Sequence, residues 1–164
     1  MTNPSAGGAF SHLDAEGNPG MVDISHKPET SRMAVAQAKI DLPPAILAAA
    51  QGQDILMPKG SVFQAAILAG TLAAKKTSDL IPLCHAIPLD ACRIAIRLEG
   101  GQALIQATVK TRAPTGVEME ALTAVSVAAL TVYDMTKALS HDIVIREIGL
   151  LEKTGGKSDF KREA

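Results

Sequence analysis

Apolar and polar positions alternate along "SRMAVAQAKIDL" (31–42), where Ala34, Ala36, Ala38, Ile40 and Leu42 share one side. A period of two marks a half-buried strand. The same alternation occurs twice in "CRIAIRLEGGQALIQATVK" (92–110). Ile94, Ile96 and Leu98 lead out, Gly100-Gly101 turns, and Ala103, Ile105, Ala107 and Val109 lead back. Two such runs around a two-glycine turn predict a β-hairpin. "HDIVIREIGLLEK" (141–153) reads as a final strand.

Between these runs the pattern is helical. "PPAILAAAQG" (43–52) has Pro at its start and Gly past its end, which predicts a short helix. "SVFQAAILAGTLAAKK" (61–76) predicts a second helix with Ser61 as N-cap. "MPKGS" between them is expected to be a loop. "IPLCHAIPLD" (81–90) is apolar but holds two prolines, so a loop packed against the body fits best. A long helix is expected from about Met119 to Leu139. It is apolar almost all the way round, through Leu122, Val125, Val127, Leu130, Val132, Tyr133 and Met135. One face can pack on a sheet; the others call for cover from another subunit.

Setting the short helix aside, the order is βαββαβ. This is the ferredoxin-like arrangement of the α+β class, an antiparallel sheet with helices on one face. Residues 1–20, rich in Gly, Pro, Ser and Asn, are expected to form a flexible tail, with a single domain over 21–164.

Composition narrows the function classes. Aromatic residues are only 2% with no Trp, so the core must be aliphatic and base stacking on nucleic acid is disfavoured. A net charge of −1 excludes a strongly basic DNA-coating protein, though not a local basic pocket. The two cysteines, Cys84 and Cys92, match neither a redox nor a zinc motif and suit a reducing cytoplasm. The N-terminus lacks the features of a secretory signal and no run reads as a membrane span.

Several residues could carry chemistry. Cys84 and His85 are adjacent, so their side chains point apart; a packed thiol beside a loop imidazole competes with a nucleophilic pair. Glu118 and Glu120 fall at a helix start, where carboxylates are favourable in any case. Lys59 is an exposed loop lysine or a site lysine. "KTGGKS" (153–158) lacks the spaced first glycine and following helix of a P-loop. With Lys153, Lys157 and Lys161 it is either a phosphate cradle or a basic tail. Asp134 and Lys137, three residues apart on one helix face, form a solvated ion pair or an acid/base pair in a pocket wall. The apolar neighbours Val132, Tyr133 and Met135 point to the second reading, since charges left in dry surroundings are costly. Glu120 and Asp134 are fourteen residues apart, about 21 Å along a helix yet within about 40° of one face. One pocket would struggle to span both, so a site shared across a two-fold dimer is expected. On the residues alone, a generic nucleotide-phosphate lyase or hydrolase and a non-catalytic interaction module both remain open.

Four stretches together resemble one family: "MVDIS" (21–25), "KGSVFQAAILAGTLAAKKTSDLIPLCH" (59–85), "TGVEMEALTAVSVAALTVYDMTKAL" (115–139) and "KTGGKSDF" (153–160). They are similar to the MoaC family, the cyclic pyranopterin monophosphate synthases of molybdenum cofactor biosynthesis. The resemblance implies a lyase acting on 3′,8-cyclo-7,8-dihydroguanosine 5′-triphosphate made by a radical SAM enzyme. Its product would be cyclic pyranopterin monophosphate, with release of pyrophosphate. By resemblance, Asp134, Lys137 and Lys59 are catalytic. Leu83, Cys84, His85, Glu118, Met119, Glu120, Asp23, Arg32, Lys153 and Lys157 contact substrate. The resemblance also implies a homohexamer built as a trimer of dimers. No cofactor is implied; Mg²⁺ has a place only as a pyrophosphate counter-ion, and no metal motif calls for it. The chain departs from the family pattern at its last loop, where "GGKS" runs into Asp159-Phe160 without the usual intervening Gly. A triphosphate brings roughly four negative charges, which several Lys and Arg must meet. Such crowding is expected to lower a lysine pKa toward neutrality.

Overall fold

The computed structural model describes residues 17–163, so most of the expected 1–20 tail lies outside the described residues. In chain order the elements are β1 (Thr30–Asp41), α1 (Pro44–Leu47), β2 (Ala50–Gln51), β3 (Asp54–Met57), β4 (Gly60–Ser61), α2 (Val62–Lys75), α3 (Thr77–Leu80), β5 (Ala91–Glu99), β6 (Gln102–Ala113), α4 (Glu118–Thr136), β7 (Val144–Thr154) and β8 (Phe160–Lys161). The main sheet runs β5-β6-β1-β7-β8 and every pairing in it is antiparallel. Its four long strands thus stand in the order second, third, first, fourth, as the ferredoxin-like reading requires.

The period-two pattern decides which face is buried. Ala34, Ala36 and Ala38 stand opposite Val109, Ala107 and Ile105, and all six are fully buried. α4 lies over β1, β6 and β7, while α2 packs on β5 and against α4. Burial of each large aliphatic, such as Ile40, Ile105 or Val125, contributes about 1.5–3 kcal/mol. The many alanines serve another end: they bring the helices close to the sheet. Gly70 shows how close, because a β-carbon there would sit 2.6 Å from Ile94 Cδ1 and 2.7 Å from the Ala124 carbonyl oxygen. The hairpin turns through Gly100-Gly101 as expected, and the 81–90 segment is an irregular packed loop.

Three local expectations need correction. The 43–52 helix is only one turn long. Its alanines favour helix, yet the chain leaves it to pair Ala50–Gln51 with Asp54–Ile55, which buries Ile55 completely. "MPKGS" is not a free loop: Leu56 and Met57 pair with Ser61 and Gly60, so Pro58-Lys59 form a tight two-residue turn. The long helix ends at Thr136 rather than Leu139, with Lys137 as C-cap. The chain must turn there to bury Ile143 and enter β7.

Candidate active site

A cavity of about 490 Å³ opens where the 81–90 loop, the start of α4 and the glycine loop after β7 meet the segment preceding β1. Leu83, Cys84 and His85 line it from the loop, Glu118, Met119 and Glu120 from the helix, and Lys157 from the glycine loop. These segments are far apart in the chain, and the fold brings their site candidates onto one surface.

The two prolines keep the 81–90 loop out of regular structure, and local bonds then fix it. The Cys84 N–H donates to the Ile81 carbonyl at 3.1 Å. The buried Thr111 hydroxyl donates to the Pro88 carbonyl at 2.6 Å, tying the loop's end to β6. His85 Nε2 lies 2.8 Å from the Val22 carbonyl oxygen. A carbonyl only accepts, so Nε2 carries the proton and Nδ1 is left to exchange one. Burial, with the Glu120 charge nearby, pushes the Cys84 thiol up. Reactive cysteines show the opposite shift, so the surroundings of Cys84 favour the thiol over the thiolate.

The first turn of α4 supplies two unlike carboxylates. Glu118 is half-buried and meets Lys153 Nζ at 3.2 Å. Glu120 is only 5% exposed, and burial raises its carboxyl pKa, with the Glu118 charge adding to the rise. One carboxylate is therefore paired and the other is poised to hold a proton, a division suited to acid/base work.

Arg32 serves this wall from outside the main cavity. Its guanidinium donates to the carbonyls of Ala113 at 2.9 Å and Pro114 at 3.0 Å. It borders a small cleft with Glu118, Lys153 and Gly156. Asp23 does not line the cavity. Its carboxylate accepts the Ser25 N–H at 2.9 Å, which holds its pKa below the usual range. Its neighbours Val22 and Ile24 face the cavity instead, as does Lys27. Lys27 was missed from the sequence; its signal was only a basic residue just after "MVDIS".

The shortened last loop is closed, not frayed. Gly155 has φ +83°, and a β-carbon there would overlap the Ser31 carbonyl oxygen. The Thr30 hydroxyl donates to the Gly155 carbonyl at 2.9 Å, and the Gly155 N–H donates to Asp159 Oδ1 at 3.1 Å. Phe160–Lys161 then pair back onto Glu152–Lys153. Asp159, directly after "GGKS", thus clips the loop that carries Lys157.

Asp134, Lys137 and Lys59 lie apart from this cavity, at the far end of α4. Lys137 Nζ bonds Asp134 Oδ1 at 2.6 Å, with the side chains 49% and 66% exposed. The dry pocket wall expected from the flanking sequence is thus not present within one chain. Val132 is buried and Tyr133 and Met135 pack on the core, while Asp134 and Lys137 face outward from the helix end. Lys137 holds the Asp134 carboxyl below its usual range, and the Lys59 charge adds to the effect. Asp134 in turn raises the Lys137 ammonium. Within the chain Lys137 therefore shows no lowering of the kind expected of a crowded lysine: the contacting carboxylate outweighs the small effect of burial.

Among the described residues, no three His, Cys, Asp or Glu side chains are grouped to hold a metal ion. Likewise, no helix among them is long and apolar enough to cross a membrane.

The chain is similar in sequence to known proteins. The sequence model of the MoaC family matches residues 21–156. A cyclic pyranopterin monophosphate synthase of Nostoc sp. (strain PCC 7120) is 53% identical over 159 residues, which is 94% of this chain and 92% of that protein. A protein of the same name from Xanthomonas axonopodis pv. citri is 47% identical over 161 residues, 98% of each chain. The molybdenum cofactor biosynthesis bifunctional protein of Synechocystis sp. is 50% identical over 158 residues, 93% of this chain but 46% of that longer protein. With a family match over most of its length and relatives this similar from end to end, the chain belongs to the MoaC family.

Proposed function

We infer that this protein is a cyclic pyranopterin monophosphate synthase of molybdenum cofactor biosynthesis, a lyase acting on 3′,8-cyclo-7,8-dihydroguanosine 5′-triphosphate. The observation that carries the inference is convergence. The family-like segments "LCH" and "EME" and the lysine of "GGKS" meet on one cavity with unlike carboxylates, an imidazole and cationic groups. Relatives named for this activity match nearly the whole chain.

In the proposed division of labour, Lys27, Lys157, Lys153 and Arg32 hold the triphosphate, four cations against roughly four charges. Leu83 and Met119 give the purine an aliphatic seat. Asp134 activates a water or hydroxyl, while Lys137 and Lys59 donate protons and stabilise leaving oxygens. Glu120 and His85 exchange protons at the cavity end. Asp134 and Glu120 belong to one unbroken helix, so we assign each complete site to two chains. In a two-fold pair with antiparallel α4 helices, the start of one lies beside the end of the other. The exposed Leu68, Leu72 and Leu130 on the helical layer supply apolar surface for such a contact. Three such pairs would build a hexamer. The conversion involves no net oxidation, so we propose it without a redox cofactor, with Mg²⁺ only as counter-ion to pyrophosphate. A radical SAM enzyme would supply the substrate, in the cytoplasm.

The test is incubation with the cyclo-dihydro-GTP substrate and mass detection of the pterin product and pyrophosphate. Both should appear with wild type and be nearly absent with Asp134→Asn or Lys137→Ala. Both side chains are exposed, so the variants should keep the wild-type melting temperature. Binding without turnover by wild type would refute the enzymatic reading. Near wild-type rates in either variant would return the pair to a surface ion pair.

A further inference from the structure

Lys59 sits in an unusual setting for a residue asked to meet a reacting group. It is exposed, and no hydrogen bond or ion pair holds its ammonium among the described residues. Only the backbone of the Pro58-Lys59 turn sets where the side chain starts. That turn belongs to a three-stranded sheet, β2-β3-β4, whose longest strand has four residues. The β3-β4 part that carries the turn is a two-stranded hairpin, and a hairpin alone is marginally stable and depends on what it packs against.

Buried Ile55 and the Leu98 N–H, which donates to Gln53 Oε1 at 3.2 Å, hold the β2-β3 part of the piece on the body; the side chain of Asp54 holds the β3-β4 part. Asp54 Oδ1 accepts the N–H of Ile55 at 2.7 Å and the N–H of Phe63 at 3.0 Å. Asp54 Oδ2 accepts the Ser61 hydroxyl. The Ser61 oxygen in turn accepts the Gln64 N–H at 3.0 Å as the N-cap of α2. A single carboxylate therefore joins the start of β3, the end of β4 and the first turn of α2, closing the hairpin at its base. The turn that carries Lys59 projects from that base.

We propose that Asp54 is a positioning residue: its carboxylate fixes the Pro58-Lys59 turn against the N-terminus of α2, and so sets the place of the Lys59 ammonium for the reaction. The inference rests on the catalytic role given to Lys59 above. Asp54 touches no substrate; it acts through Lys59. A carboxylate is suited to the task because it accepts on both oxygens and has no proton to misdirect. Its bonds to the helix N-terminus are favoured by charge as well as by geometry. Small displacements of a reacting group are costly, with about 1 Å worth as much as 100-fold in rate.

A double-mutant cycle on the full-length protein separates positioning from general support. Turnover of the cyclo-dihydro-GTP substrate is measured for wild type, Asp54→Ala, Lys59→Ala and the double variant. Asp54→Ala should lower kcat by about 10-fold or more. In the Lys59→Ala background the same change should cost less than about 2-fold, since no ammonium remains to be placed. Asp54→Asn keeps an acceptor for the Ile55 and Phe63 N–H groups and should recover most of the rate. Equal losses in both backgrounds, or full kcat in Asp54→Ala, would overturn the inference while leaving the role of Lys59 intact. Wild-type kcat in Lys59→Ala would instead remove that role, and this inference with it. If neither Asp54 variant folds, Asp54 is part of the scaffold alone and the proposal fails.

Discussion

Two inactive variants should restore activity when their subunits are exchanged. Glu120 and Asp134 lie on one unbroken helix, Glu118–Thr136. Fourteen residues at 1.5 Å each separate them by about 21 Å, and at 100° per residue they return to within about 40° of one face. Glu120 lines the cavity at one end, while Asp134, with Lys137 and Lys59 nearby, forms the other cluster. If the two clusters act on one substrate, antiparallel pairing of α4 from two chains must bring them together. Glu120→Ala removes the first half of a site and Asp134→Asn the second, so each variant alone should be inactive. After random exchange, half the pairs are mixed. A mixed pair holds one site with both defects and one intact site, so activity should return to about a quarter of wild type. Differently tagged subunits, copurified and identified by intact mass, verify exchange; pyrophosphate release reports activity. Verified exchange with activity still at background would refute the shared site, since a complete site within one chain carries its defect into every pair.

Cys84→Ala should keep turnover within a few-fold of wild type, because burial disfavours the thiolate, whereas His85→Ala should lose most of it; steady-state kcat for both decides this. Gly155→Ala should raise KM for the triphosphate by 10-fold or more: its φ of +83° costs a side chain about 1–2 kcal/mol, and the methyl would collide with the Ser31 carbonyl. An unchanged KM would remove the glycine loop from phosphate binding. Glu120→Gln should gain stability over wild type as pH rises. A carboxyl raised in the folded state is protonated in both states at low pH, so it carries no penalty there. Above its unfolded value the folded state must give up solvation to ionise, and the penalty is complete once pH passes the higher folded value. Urea midpoints of both proteins from pH 4 to 8 should diverge in that direction; a constant difference would contradict the shift.

Much of this protein was legible in its sequence because the deciding forces were local. Alternation over 31–42 and 92–110 assigned the buried face of three strands, and Gly100-Gly101 placed the hairpin turn. Ser61 caps α2 as its position suggested, accepting the Gln64 N–H. The ferredoxin-like order followed from the succession of elements, since a βαββαβ chain with short connections has few ways to close one antiparallel sheet. The motifs "LCH" and "EME", singled out by family resemblance and not by local pattern, line one cavity.

What stayed hidden depended on groups distant in sequence. The flanking Val132, Tyr133 and Met135 suggested a buried setting for Asp134 and Lys137, yet helical rotation turns the pair outward and the helix ends beside it. Alanine-rich propensity favoured a longer α1, and the burial of Ile55 through strand pairing outweighed it. Nothing near Asp54 announced that it would join β3, β4 and α2, because its partners at Ser61 and Phe63 are met only once the hairpin has closed. The basic tail became a clipped loop only because Asp159 finds the Gly155 N–H and Phe160–Lys161 find a free strand edge. Local pattern reports propensity and facing; exposure, proton affinity and the company a charged group keeps are set by what the rest of the chain packs beside it.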